Sequence, residues 1–197
     1  MAFGGWNIDV NTSGNAPQKV ASAMGKLAET ILGAQYDFVA YLGSQVAKGT
    51  NFAVLAEQVV VSGRDTKNAV VLIFNEKPGD MELSLVGIEH VADAGGALGG
   101  TDIDICVDFT EEEKIVWNEA MSGFVGAEIK PFAIIGTQVT NGVNYIFMAE
   151  STPVVPNGEK RLVLVTINDK FKKVSIADVL ANKAEAALGY SFTWLKN

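Results

Sequence analysis

Few residues of this chain could act as a nucleophile, a general base or a metal ligand. Cys106 is the only cysteine and His90 is the only histidine among the 197 residues. A catalytic thiol needs a base that takes its proton, and a zinc site needs several nitrogen or sulfur ligands. The chain also contains no phosphate-binding loop, no paired-carboxylate motif and no nucleophile elbow. We therefore expect that the protein is not an enzyme and that it binds neither a metal nor another cofactor.

These residues have structural explanations instead. We expect Cys106 to be a core residue of an extended segment, and His90 to be solvated at the end of a strand. The acidic run from Glu111 to Glu113 favours the beginning of a helix, where the helix dipole is positive. None of the three features requires catalysis.

The overall charge argues against some classes of partner. The net charge is -8, whereas phosphate backbones are bound by clustered lysine and arginine side chains. We therefore expect no nucleic acid and no anionic membrane surface as partners. The longest dense apolar run, Ala69 to Phe74, is too short to span a bilayer, and Met1 to Trp6 lack the character of a signal peptide. With a single cysteine, the protein is expected in the cytoplasm, or outside the cell if a leader has been removed.

One short pattern occurs twice and is the most specific signal in the chain. Gln45-Val46-Ala47-Lys48-Gly49 lies in one strand-like stretch, and Gln138-Val139-Thr140-Asn141-Gly142 lies in another, 93 positions later. The segments from Gly33 to Glu57 and from Gly126 to Glu150 align without a gap, and 10 of their 25 positions are identical. Self-similarity on this scale indicates a duplication. We therefore predict two domains, residues 1–95 and residues 96–197.

The first copy has the pattern of one helix followed by an antiparallel meander. A helix is predicted from Asn15 to Leu32, because apolar side chains recur at helical spacing. That apolar stripe consists of Val20, Met24, Leu27 and Ile31. The predicted strands are Tyr36–Ala47, Asn51–Ser62, Asn68–Asn75 and Met81–Val91. The dipeptide Pro78-Gly79 marks the turn between the last two strands, and the sheet should cover the helix stripe.

The second copy repeats this order but diverges near its end. An extended segment led by Gly99-Gly100 echoes Gly4-Gly5, and a helix from Thr110 to Met121 should begin with a capping box that Glu113 completes. The predicted strands are Ile129–Thr140, Asn144–Val155 and Arg161–Asn168. After Asn168 no Pro-Gly turn is present. An inserted helix is predicted at Ser175–Leu188 and the last strand at Gly189–Leu195.

These elements, in this order, resemble the cystatin superfamily of inhibitors of papain-like cysteine proteases, and most of all the stefins, which have one domain and no disulfide. The resemblance rests on Gly4-Gly5, on the strand–turn–strand from Gln45 to Asn51, and on the hairpin at Pro78-Gly79 followed by Leu83 to Gly87. It implies an α+β fold class with two tandem cystatin-like domains, each an antiparallel sheet of four to five strands wrapped around one helix.

The resemblance also implies a function, which is reversible competitive inhibition of a papain-like cysteine protease. In such inhibitors the N-terminal trunk and two hairpins form a wedge that enters the protease cleft. The corresponding residues of this chain are Phe3, Gly4, Gly5, Gln45, Val46, Ala47, Lys48, Gly49, Pro78 and Gly79. Lys48 departs from the family, which often has a small residue at this place. We expect Gly4→Glu and Gly49→Trp to weaken inhibition while thermal stability stays nearly unchanged.

The second copy offers a possible second wedge, with an internal trunk and without the Pro-Gly hairpin. Its residues are Leu98, Gly99, Gly100, Gln138, Val139, Thr140, Asn141 and Gly142. Two alternatives stay open. The turn residues could be hairpin chemistry alone, and the chain could be a non-inhibitory protein-binding or self-associating module on the same scaffold. Self-association could include a homodimer formed by strand exchange.

Overall fold

The computed structural model describes residues 5–61, 66–80, 82–95 and 100–180. These residues belong to two compact units that divide between Val91 and Ala92. In the described part of each unit, the strands form one five-stranded antiparallel sheet and one helix is present.

The first unit is a meander in which neighbouring strands of the sheet follow chain order, β1-β2-β3-β4-β5. Its elements are β1 Trp6–Asn11, α1 Gln18–Thr30, β2 Ala34–Ala47, β3 Gly49–Val60, β4 Thr66–Glu76 and β5 Ser84–Asp93. A single residue, Lys48, separates β2 from β3, so these long strands pair from Ala34–Val60 to Ala47–Gly49. The predicted turn at Pro78-Gly79 lies between β4 and β5 and is confirmed.

The apolar stripe of α1 packs against one face of the first sheet, as predicted. Val20, Met24 and Leu27 are buried in one cluster with sheet residues such as Phe52 and Phe74. The same core receives the partly buried side chains of Ile31, Leu83, Leu85 and Ile88. The helix is thus held by burial of its apolar face, which is the usual source of helix stability in proteins.

The second unit has the sheet order β10-β9-β8-β7-β6. Its elements are β6 Thr101–Cys106, α2 Glu111–Met121, β7 Ala127–Thr140, β8 Gly142–Pro153, β9 Arg161–Asn168 and β10 Val174–Asp178. The capping box of α2 is confirmed, since the Thr110 hydroxyl accepts a hydrogen bond from the Glu113 amide and the Glu113 carboxylate accepts one from the Thr110 amide. Trp117 of α2 packs edge-on against Phe147, with ring centres 5.1 Å apart.

The predicted fold class, α+β with two tandem cystatin-like domains each wrapped around one helix, is wrong. Over the described residues the structure is mostly β, with 57% strand and 14% helix, and those residues form two five-stranded antiparallel sheets and only two short helices. Helix α1 has 13 residues and is about 20 Å long. Strand β2 has 14 residues and is about 46 Å long. A helix of this length covers less than half of such a strand.

The first sheet also buries side chains on both of its faces. Val54 points toward α1, whereas Ala53 and Leu55 point to the opposite face, and all of them are fully buried. The neighbouring strand β4 behaves in the same way, with Val70 on one face and Val71 on the other. Strands buried on both faces have continuous apolar runs rather than alternating ones. The buried side chains of the first sheet therefore lie on both of its faces, whereas a sheet wrapped around one helix would bury only the face toward that helix.

The prediction of an inserted helix from Ser175 is also wrong at its beginning. Residues Val174–Asp178 form β10, which pairs with β9 from Val174–Ile167 to Asp178–Val163. The remainder of that predicted helix from residue 181, and the predicted last strand Gly189–Leu195, lie outside the described residues.

Candidate functional site: the tips of the two sheets

The hairpin between β2 and β3 ends in a tight turn that only glycine fits at one position. Gly49 has a φ of +102°. A Cβ atom at Gly49 would overlap the carbonyl oxygen of Glu76 and lie 2.9 Å from its carbonyl carbon. Because both atoms are backbone, they cannot rotate out of the way. A substitution at Gly49 must therefore cost stability, contrary to the expectation for Gly49→Trp from the sequence.

The strand register brings the predicted wedge segments of the first unit to one end of its sheet. Trp6 pairs with Gln45, so the beginning of β1 lies beside the hairpin. Thr50 pairs with Glu76, so the turn from Lys77 to Asp80 lies on the other side of it. We call this end the first tip, and it comprises Gly5–Trp6, Gln45–Asn51 and Glu76–Asp80. Phe3 and Gly4 lie outside the described residues.

The residues of the first tip differ in exposure. Val46 is 55% exposed, and Ala47, Lys48, Pro78 and Gly79 are exposed as well. Gln45, by contrast, is buried. A partner could therefore touch the apolar and cationic turn residues, whereas Gln45 belongs to the support beneath them.

That support is a row of side-chain amides across three strands. The Asn51 amide donates to Gln45 Oε1 at 3.0 Å, and the Asn75 amide donates to Asn51 Oδ1 at 2.7 Å. Because these residues face each other across β2, β3 and β4, the row fixes the register of the hairpin directly beneath its turn. We call it the amide ladder.

The second unit contains the same ladder at equivalent positions. Asn144 donates to Gln138 Oε1 at 3.1 Å, and Asn168 donates to Asn144 Oδ1 at 2.8 Å. Asn75 and Asn168 were missed from the sequence, although each lies at the end of the third long strand of its copy. The available signal was that both copies have an asparagine at this position, immediately before their sequences diverge.

The second unit also brings its wedge-like segments to one end. Thr101 pairs with Gln138, and Asn144 pairs with Asn168. We call this end the second tip, and it comprises Gly100–Thr101, Gln138–Asn144 and Asn168–Lys173. Leu98 and Gly99 lie outside the described residues.

The second hairpin, expected to be replaced in this copy, is present in another form. Strands β9 and β10 are joined directly by residues 169–173. Asp169 Oδ1 accepts a hydrogen bond from the Val143 amide at 2.7 Å, and Lys170 Nζ donates to Asn141 Oδ1 at 2.7 Å. The turn is therefore bound to the tip of the β7–β8 hairpin through side chains. It occupies the place that Pro78-Gly79 has in the first unit.

Each helix is fastened to its sheet by a polar residue of its first turn. In the first unit, Lys19 pairs with Glu76 at 2.5 Å and lies 4.7 Å from the centre of the Phe52 ring. In the second unit, the Tyr145 hydroxyl donates to Glu112 Oε1 at 2.6 Å. Burial, followed by this hydrogen bond and the charge of Glu112, raises the pKa of Tyr145 to about 12. Phe52 and Tyr145 occupy equivalent positions of the repeat.

The reactive side chains lie outside both tips. Cys106 is exposed rather than in the core, and its Sγ donates to the Asp108 carbonyl at 3.2 Å. His90 is exposed, as expected. Within the described part of the chain, no group of three or more His, Cys, Asp and Glu side chains is arranged to hold a metal ion. No helix in that part has the length and apolar character needed to cross a membrane.

Comparison with known proteins adds no family to this description. No protein-family model matches the chain, and no curated protein matches it. The resemblance to cystatins therefore stays a prediction from the chain's own motifs.

Proposed function

We propose that the protein is a reversible competitive inhibitor of papain-like cysteine proteases and that it binds them through the first tip. The observation that supports this function is the pairing of Trp6 with Gln45 and of Thr50 with Glu76. These pairs bring the strand that follows the trunk, the first hairpin and the Pro78-Gly79 turn to one end of one sheet. A narrow protease cleft could receive such an end.

The first tip suits a cleft because Val46, Ala47 and Pro78 present apolar surface beside Lys48, and because the hairpin is already ordered. Burying the exposed half of the Val46 side chain would contribute about 1 kcal/mol. The amide ladder holds the hairpin before binding, so little conformational freedom is lost in the complex. Gly49 is paired with Ala47 in a closed hairpin, and this backbone is not free to lie extended across a catalytic thiol.

Steady-state inhibition of papain by the purified chain tests the proposal. Inhibition should be competitive with substrate. Val46→Glu should raise the inhibition constant at least about tenfold, which corresponds to about 1.4 kcal/mol, because it removes the apolar contact and places a carboxylate in the cleft. Val61→Glu is the matched control, because Val61 is 65% exposed and follows β3 at the opposite end of the same sheet. A folded protein that does not inhibit at micromolar concentration would refute the proposal.

A second candidate function is that of a protein-binding module without inhibitory activity. It is favoured by the second tip, which repeats the ladder and the paired turns although its preceding segment is internal to the chain. In this case papain would stay fully active at concentrations at which the chain binds another protein. A homodimer in which Val46 and Val139 become buried is the self-associating form of the same candidate. Sedimentation equilibrium of the chain and of Val46→Glu would detect it.

A further inference from the structure

The second tip exposes a valine, as the first tip does at Val46, and adds an exposed aromatic side chain that the first tip lacks. Val139 is 70% exposed and Phe171 is 60% exposed. In the first unit the corresponding turn contains Pro78-Gly79 and has no aromatic residue. Exposed aromatic residues on a rigid support are frequent anchors of protein interfaces.

Phe171 is presented by a turn that is held from several sides. The backbone amide of Phe171 donates to Asn168 Oδ1 at 3.0 Å. The backbone amide of Asn168 in turn donates to the Lys173 carbonyl at 3.0 Å. The contacts of Asp169 and Lys170 described above tie the same turn to the β7–β8 hairpin. A partner that covers Phe171 would therefore meet an ordered surface.

The charges around Phe171 are mostly positive. Lys170, Lys172 and Lys173 are exposed and lie within four positions, although the whole chain has a net charge of -8. Lys170 Nζ lies 5.6 Å from the centre of the Phe171 ring. The single acidic residue of the turn, Asp169, accepts a hydrogen bond from the Val143 amide. Lys172 pairs with Glu119 at the surface, and such exposed pairs are weak enough to be exchanged for another carboxylate.

We infer that the second tip is a docking site for an acidic segment of another protein that also carries an apolar side chain. Phe171 and Val139 form the apolar contact, and the three lysines surround it with positive charge. Complementary charge would guide the encounter and set the orientation of the segment. This inference does not depend on the protease proposal, which concerns the first tip.

An anionic membrane fits this surface less well than a protein segment does. Sequences that bind anionic lipids usually present clusters of about four to eight lysine or arginine residues. The second tip has three lysines, one of which is paired with Glu119. The net charge of -8 would also oppose the approach of the whole chain to an anionic surface. An acidic segment needs only the local charge.

Binding of short synthetic peptides to the full chain, measured by fluorescence anisotropy, tests the inference. The peptides are acidic with a central leucine or phenylalanine, acidic without an apolar residue, and basic with the same apolar residue. The acidic apolar peptides should bind, and their affinity should fall as the salt concentration rises. Phe171→Ala and Lys170→Glu should each weaken binding at least about tenfold, which is typical of an anchor residue.

Phe124→Ala is the matched control, because Phe124 is 43% exposed and lies before β7, at the end opposite the second tip. It should leave peptide binding unchanged. Phe171→Ala should leave papain inhibition unchanged, which separates this inference from the protease proposal. Equal affinity of the two phenylalanine variants would overturn the inference. The inference would also be overturned if no acidic apolar peptide bound to the chain. The same conclusion would follow if the chain bound only to vesicles containing phosphatidylserine and to none of the peptides.

Discussion

Replacement of Gly49 by alanine tests whether the first tip is held against β4. Two costs add at this position. The φ of +102° is unfavourable for a residue with a side chain and costs about 1–2 kcal/mol. The new Cβ would also overlap the Glu76 carbonyl, so either the hairpin or the end of β4 must move, at about 1–3 kcal/mol. We expect a total loss of about 2–5 kcal/mol in the free energy of unfolding.

Two other glycines separate these costs. Gly79 has a φ of +90°, and no atom lies within 4 Å of the position that a Cβ would take there, so Gly79→Ala should cost only the backbone contribution. At Gly142, with a φ of +101°, the Cβ would meet Asp169 Oδ1 at 2.5 Å, which a side-chain rotation can move, and Lys170 Cβ at 2.8 Å, which moves only with the backbone of its exposed turn. Urea unfolding followed by circular dichroism should therefore rank the losses as Gly49 first, Gly142 second and Gly79 last. A loss for Gly79→Ala that equals or exceeds that for Gly49→Ala would refute the reasoning.

Three further predictions concern the contacts that support the tips. Asn75→Ala removes the donor to Asn51 Oδ1 and should lower the free energy of unfolding by about 1 kcal/mol, measured by urea unfolding. Thr110→Ala removes the capping box of α2 and should cost about 1 kcal/mol in the same assay; no loss would show that the cap contributes nothing. The pKa of Tyr145 is raised from 10.0 to about 12, so the folded state keeps the proton longer than the unfolded state. The stability from this group is present below pH 10 and is lost as the pH rises toward 12, and Tyr145→Phe should remove that pH dependence.

The sequence predicted secondary structure well where all the residues that determine an element lie within one short segment. The capping box needs only Thr110 and Glu113, and the strand Arg161–Asn168 has the predicted bounds. The exposure of Cys106 could also have been predicted. Asp102, Asp104 and Cys106 alternate with the isoleucines of β6, and residues two apart share a face of a strand.

The wrong predictions concern features that depend on contacts between residues far apart in the chain. The segment from Ser175 begins like a helix, but pairing of Val174–Asp178 with β9 overrides that local preference. The amide ladder joins three strands, so no single segment reveals it. The predicted fold class was wrong because it assigned one helix to one apolar face of each sheet. The side chains buried on the second face of the first sheet were not part of that prediction.

Amide hydrogen exchange of the chain, with and without papain whose catalytic thiol is chemically blocked, tests the central claim most directly. The blocked enzyme cannot cleave the chain, so slower exchange reports contact alone. We predict slower exchange in the turn from Val46 to Asn51 and in the turn from Lys77 to Asp80, with no change near Val61. Binding without protection of either turn, or protection confined to the end of the sheet near Val61, would contradict the claim that the first tip is the protease-binding surface.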